Sequence, residues 1–78
     1  MTATYNPALY LTPTRRALLA GVADLEISMD SAGIYRWLGN RKVNAGLYEL
    51  ESQGWLVFDP DTAVPKITGL GRLRLDTA

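Results

Sequence analysis

The chain has no cysteine and no histidine among its 78 residues, and only one phenylalanine. Without cysteine there is no disulfide framework, no thiolate metal site and no thiol nucleophile. Without histidine there is no imidazole base, no usual catalytic triad and no standard zinc ligand set. Long apolar runs are also missing. The longest candidate, residues 17–23, is interrupted by Gly21 and is far short of a membrane span. No basic leader precedes an apolar stretch at the N-terminus, so a cytoplasmic location is expected. Any catalysis would rest on eight carboxylates, the cations and the hydroxyls. Asp59 and Asp61 flank Pro60 in a turn-like stretch, and Glu49 and Glu51 fall on different sides of a helix. Neither pair converges as an acid/base site, so no enzyme, metal or cofactor is expected.

The residues that are present describe a folded globule, with 47% hydrophobic side chains. A chain this short forms one domain that buries only about 60% of its unfolded surface, so its core is thin and a partner subunit would help it. Net charge is zero, yet the charges lie in blocks. Residues 31–48 carry Arg36, Arg41 and Lys42 with no acid. Residues 49–61 carry Glu49, Glu51, Asp59 and Asp61 with no base. Residues 62–75 carry Lys66, Arg72 and Arg74, again with no acid. Such blocks are commonly solvated faces, but a basic one also suits phosphates.

Residues 1–11 read as an N-terminal arm, either laid over the core or used in dimerisation, and residues 12–78 as the domain. Thr12-Pro13 is a helix start, with a capping hydroxyl and a proline where no donor is needed. That helix should run to about Asp24, burying Leu18, Leu19, Val22 and Leu25, with Arg15 and Arg16 outward. A short strand is expected at residues 26–28. Asp30 or Ser31 then caps a second helix that buries Ile34 and Leu38 and stops at Gly39-Asn40. A third helix, about 41–53, buries Val43, Leu47 and Leu50 on one stripe, with Gly46 allowing close approach and Gly54 closing the helix. Residues 55–58 read as a strand, residues 59–62 as a turn, and Lys66-Ile67 as an edge strand beside Pro65. Strand and helix periods compete over residues 69–76.

Within this layout, Leu50-Glu51-x-x-Gly54 followed by an apolar strand, and then Ile67-Thr68-x-x-Gly71, resembles small winged helix-turn-helix regulators of the MarR and PadR kind. The resemblance covers residues 12–75. It implies an α+β winged helix-turn-helix, a three-helix core with a β-hairpin wing and a short C-terminal helix capped by Thr68. It also implies that the strand at 26–28 pairs with the wing. The expected function is sequence-specific binding of double-stranded DNA by a transcription regulator, and the brevity is closest to a phage or mobile-element protein.

In a helix-turn-helix the second helix enters the major groove by its N-terminal residues. The groove-facing set here is Arg41, Lys42, Asn44, Ala45 and Tyr48, with Arg36 from the preceding helix on the backbone. Arginine can bind guanine and asparagine adenine through paired hydrogen bonds, alanine can meet a thymine methyl, and lysine suits phosphate. A homodimer is expected, through the arm and the Leu70-Leu73-Leu75 segment. One departure stands out: the wing of such regulators commonly carries basic residues, whereas this one carries Asp59 and Asp61. With Tyr48 exposed, that departure fits an alternative, a protein-docking module whose partner meets the third helix and the wing.

Overall fold

The structure is a computed structural model and describes residues 11–76. The N-terminal arm, apart from Leu11, and the last two residues lie outside the described residues, as does any role of the arm in dimerisation. The fold is α+β, with three helices and two small antiparallel sheets.

Helix α1 spans Pro13–Ala23, where Thr12 accepts a hydrogen bond from the Arg15 N–H at 3.2 Å and proline occupies the first turn. Leu18, Leu19 and Val22 are buried on its inner side. Leu25 is not: it takes the left-handed position that ends the helix (φ 60°) and leaves its side chain exposed.

A three-stranded meander follows, with strand order β1-β2-β3: β1 (Ile27–Met29), β2 (Tyr35–Trp37) and β3 (Arg41–Lys42). The second helix expected over residues 31–39 is therefore not formed. Asp30 does cap, but it caps a turn: its carboxylate accepts the N–H groups of Ala32 at 2.9 Å and Ile34 at 3.0 Å. Gly33, at φ 80°, reverses the chain. Ile34, Tyr35 and Trp37, β-branched or aromatic, then suit a strand better than a helix. Strand β1 pairs with β2 and not with the later hairpin, which corrects the expected pairing with the wing.

Helix α2 spans Asn44–Ser52, starting later than expected. Arg41 and Lys42 are in strand β3, and the Val43 N–H donates to the Tyr35 carbonyl at 2.9 Å, so these residues extend the sheet. Leu47 and Leu50 are fully buried against α1. Gly46 permits that approach, since a Cβ there would lie 2.6 Å from Leu18 Cδ2. Gly54, at φ 78°, turns the chain into β4 (Leu56–Phe58), which pairs with β5 (Pro65–Ile67).

Helix α3 spans Gly69–Asp76 and rests on a small hydrogen-bonded unit. The Thr68 hydroxyl donates to the Gly54 carbonyl at 2.6 Å and accepts the Gly71 N–H at 3.0 Å. Gly71 is obligatory, because a Cβ there would lie 2.0 Å from the Trp55 carbonyl oxygen. The core between these elements holds Leu18, Leu19, Val22, Ile27, Tyr35, Leu47, Leu50, Trp55 and Leu56.

Candidate nucleic-acid interface

The meander sets where the basic block points. Antiparallel partners share a face, so Ser28, Arg36 and Lys42 form one row across the three strands. Ile27, Trp37 and Arg41 form the opposite row, towards the core. Arg41 and Lys42 are consecutive strand residues and project to opposite sides, not to one helical face as expected. Arg41, exposed at the sheet edge, lies with its guanidinium 5.2 Å from the Trp37 ring. Lys42 stands exposed on the outer row. Arg36 is held by Asp30 at 2.9 Å and by the Asn40 carbonyl at 3.0 Å, in a strand and not in a helix.

The helical part of the expected set behaves differently. Asn44 turns its carboxamide oxygen to the Tyr35 N–H, 2.8 Å away, and so pins the start of α2 to β2. Asn44 thus has a structural bond that sequence reasoning did not foresee, with its amide N–H donors and the oxygen's second lone pair left over. Ala45 and Tyr48 are exposed on α2. The Tyr48 ring packs on Phe58 of the hairpin at 5.7 Å, and Phe58 in turn meets Tyr35 at 5.3 Å. The Tyr35 hydroxyl donates to the Ala63 carbonyl, which ties the meander to the hairpin loop.

The remaining charges are largely matched. Arg15 pairs with Glu49 at 2.6 Å, Arg36 with Asp30, and Lys66 with Asp59 at 3.1 Å. Arg16 donates to the Leu75 carbonyl at 2.7 Å, and the Arg74 guanidinium lies 5.3 Å from the Trp55 ring. Arg41, Lys42 and Arg72 make no ion pair with a described carboxylate. Asp59 is less an exposed charge than a turn anchor, accepting the N–H groups of Asp61 at 2.8 Å and Thr62 at 3.1 Å. Asp61 is exposed, whereas Asp59 is half-buried.

Sequence reasoning overlooked the β2–β3 turn. Trp37, Leu38, Asn40 and Arg41 line an open cleft of about 390 Å³ there. The available signal was Leu38-Gly39-Asn40, a three-residue link containing glycine between runs that pair as strands. Among the described residues no group of acidic side chains is placed to hold a metal ion, and no helix is long and apolar enough to cross a membrane. Comparison with known proteins finds no matching family model, no matching curated sequence and no matching solved structure.

Proposed function

We propose that the chain is a winged-helix-like DNA-binding domain in which the start of α2 enters the major groove of double-stranded DNA. In this reading the meander stands in for the first helix of a helix-turn-helix, the β4–β5 hairpin is the wing, and transcription regulation is the role served. One observation carries it. Arg41 and Lys42, both without a described carboxylate partner, lead directly into α2, whose first turn contains no acid. Cations at a helix N-terminus oppose the helix dipole, at a cost of roughly 0.3–1 kcal/mol where an anion would help. Arg41 offsets part of that cost by lying over the Trp37 ring, whereas Lys42 makes no ion pair with a described carboxylate, and a phosphate at that end would gain from the dipole and from Lys42. Lys42 suits the phosphates, and Ala45 and Tyr48 on the open face of α2 suit base edges and sugars.

A titration of random-sequence duplex by fluorescence polarisation, repeated over a range of salt, tests the reading. Binding should weaken linearly in log salt, and Lys42→Ala should lower the slope by about 0.9, one phosphate contact. Salt-independent binding, or none at low salt, rejects it. A homodimer reading two half-sites is part of the proposal, with exposed Leu70 and Leu73 of α3 as its apolar contact. Sedimentation of the Leu70→Ser, Leu73→Ser variant checks that contact, and an unchanged dimer removes it.

A protein partner is the second reading. It is favoured by Tyr48 and Val57, 52% and 50% exposed on α2 and β4. In that case Tyr48→Ala should abolish activity in cells while duplex binding is absent in every variant.

A further inference from the structure

We propose that the end of the meander is a self-association face, on which Leu25 of one copy of the chain seats in the cleft beside Leu38 of a second copy. The face is separate from the α3 contact above and does not depend on the DNA reading.

Two leucines mark this end. Leu25 follows α1 at φ 60°, and Leu38 opens the β2–β3 turn at φ 52°. Left-handed backbone costs such a residue about 1–2 kcal/mol. Neither leucine recovers that by burial, being 73% and 66% exposed. The Leu38 N–H donates to the Glu26 carbonyl at 2.9 Å, one step past the Ile27↔Trp37 pair, so both leucines lie at one end of the sheet. Strain and exposure alone name no occupant; the charge and relief around them do.

The β1 side of this end is acidic, with Asp24 and Glu26 flanking Leu25 in the chain, and the β3 side is basic, with Arg41 after the turn. Asp24, Glu26 and Asp30 balance Arg36, Arg41 and Lys42, so the end as a whole is neutral. Asp30 and Arg36 pair with each other, and Glu26 accepts the Trp37 indole N–H at 2.9 Å. Asp24 and Arg41 are left exposed, opposite in sign, and neither forms an ion pair with a described residue. Asp24 also caps the C-terminus of α1, where the helix dipole favours a cation, so the fold draws no benefit from its charge.

Relief follows the same division. Leu25 stands out on the acidic side, while on the basic side Trp37, Leu38, Asn40 and Arg41 line the open cleft. A half-turn about an axis near Leu38 lays the acidic side of one copy on the basic side of the other. Leu25 then enters the partner's cleft, Asp24 meets the partner's Arg41, and each contact is made twice. A second copy is the occupant because one chain carries both the knob with its acid and the cleft with its arginine. With a formal net charge of zero, two copies also meet without long-range repulsion.

Sedimentation equilibrium over micromolar concentrations tests this, on a parent chain carrying Leu70→Ser and Leu73→Ser so that α3 contributes no contact. The parent should dimerise. Asp24→Lys and Arg41→Glu should each weaken the dimer by about tenfold or more, since each turns two attractions into two repulsions. Mixed in equal amounts, the two reversed variants should dimerise nearly as well as the parent, because each supplies the sign the other has lost. A merely structural role for either side chain gives no such recovery. Leu25→Asn suits the left-handed backbone and should melt no lower than the parent in dilute solution, yet stay monomeric. A dimer that survives Leu25→Asn, or reversed variants that do not recover on mixing, overturns the proposal. A monomeric parent overturns it too, and if the chain without the two serine substitutions still dimerises, the α3 contact stands in its place.

Discussion

Asp30 and Asp59 perform the same task in different sheets, each closing a turn with its carboxylate. The Ile34 backbone N–H, and next the Arg36 guanidinium, hold the Asp30 carboxyl below its ordinary 3.8. The Asp61 N–H, and next the Lys66 ammonium, do the same for Asp59. A carboxyl whose folded pKa is depressed contributes stability in full above its unfolded value and loses it as the pH falls through the folded one. Urea unfolding followed from neutral pH downward should therefore show stability declining below about pH 4. Asp30→Asn and Asp59→Asn should each flatten that decline and converge with wild type in strong acid; parallel curves would deny the two turns this role. At this scale the sequence was readable wherever a residue has one habitual use. Thr12 caps, Gly54 turns left-handed, and Leu47 and Leu50 are buried. Asp30 was not readable in this way, because an aspartate that starts a helix and one that closes a turn offer the same oxygen to the same kind of N–H.

Among the elements, the hairpin and its flanking turns behave as one piece. The spacing Gly54…Thr68-x-x-Gly71, first noticed as a pattern, has a physical basis: one hydroxyl joins two backbone groups, and one missing Cβ makes room for the Trp55 carbonyl. Gly71→Ala should cost about 3 kcal/mol, the upper end of ordinary overpacking, because backbone and not a movable side chain stands in the way. The melting temperature and the helical circular dichroism should fall together; an unchanged melt would mean that α3 does not rest on β4. Leu50→Ala should cost about 2–5 kcal/mol for the cavity it leaves between α1 and α2, and a small loss in urea unfolding would contradict full burial. The meander was the element that sequence reading missed. Ile34 and Leu38 stand four apart, as in a helix, but Tyr35 and Trp37 are the side chains that face inward, at the spacing of two that a strand requires. With that change the basic candidates dispersed: Arg41 went to the turn, Lys42 to the outer row, and Asn44 to a structural bond.

In the whole molecule the two sheets do not pair with each other; contacts from side chains join them. Tyr35 reaches the hairpin through its ring and hydroxyl, and α1 packs on α2, α3 and β5, secured by Arg15–Glu49 and by Arg16 on the Leu75 carbonyl. The two tryptophans report on the two halves separately, Trp37 from the meander and Trp55 from the approach to the hairpin. Thermal unfolding of Trp37→Phe and of Trp55→Phe should give coincident fluorescence midpoints after correction for each variant's stability, as a single cooperative unit requires. Tyr35→Phe keeps the ring contacts and loses the hydroxyl bond, so it should cost about 0.5–1.5 kcal/mol. If it also separates the two fluorescence transitions, that hydroxyl is what makes the domain one unit. The central place of α1 has a consequence during synthesis. Its apolar stripe of Leu18, Leu19 and Val22 leaves the ribosome well before α2, β5 and α3, which lie up to about fifty residues later and arrive several seconds on at ordinary elongation rates. An eleven-residue helix is too short to persist alone. For those seconds the nascent chain offers chaperones a short, sticky segment, which closes over only when the last helix emerges.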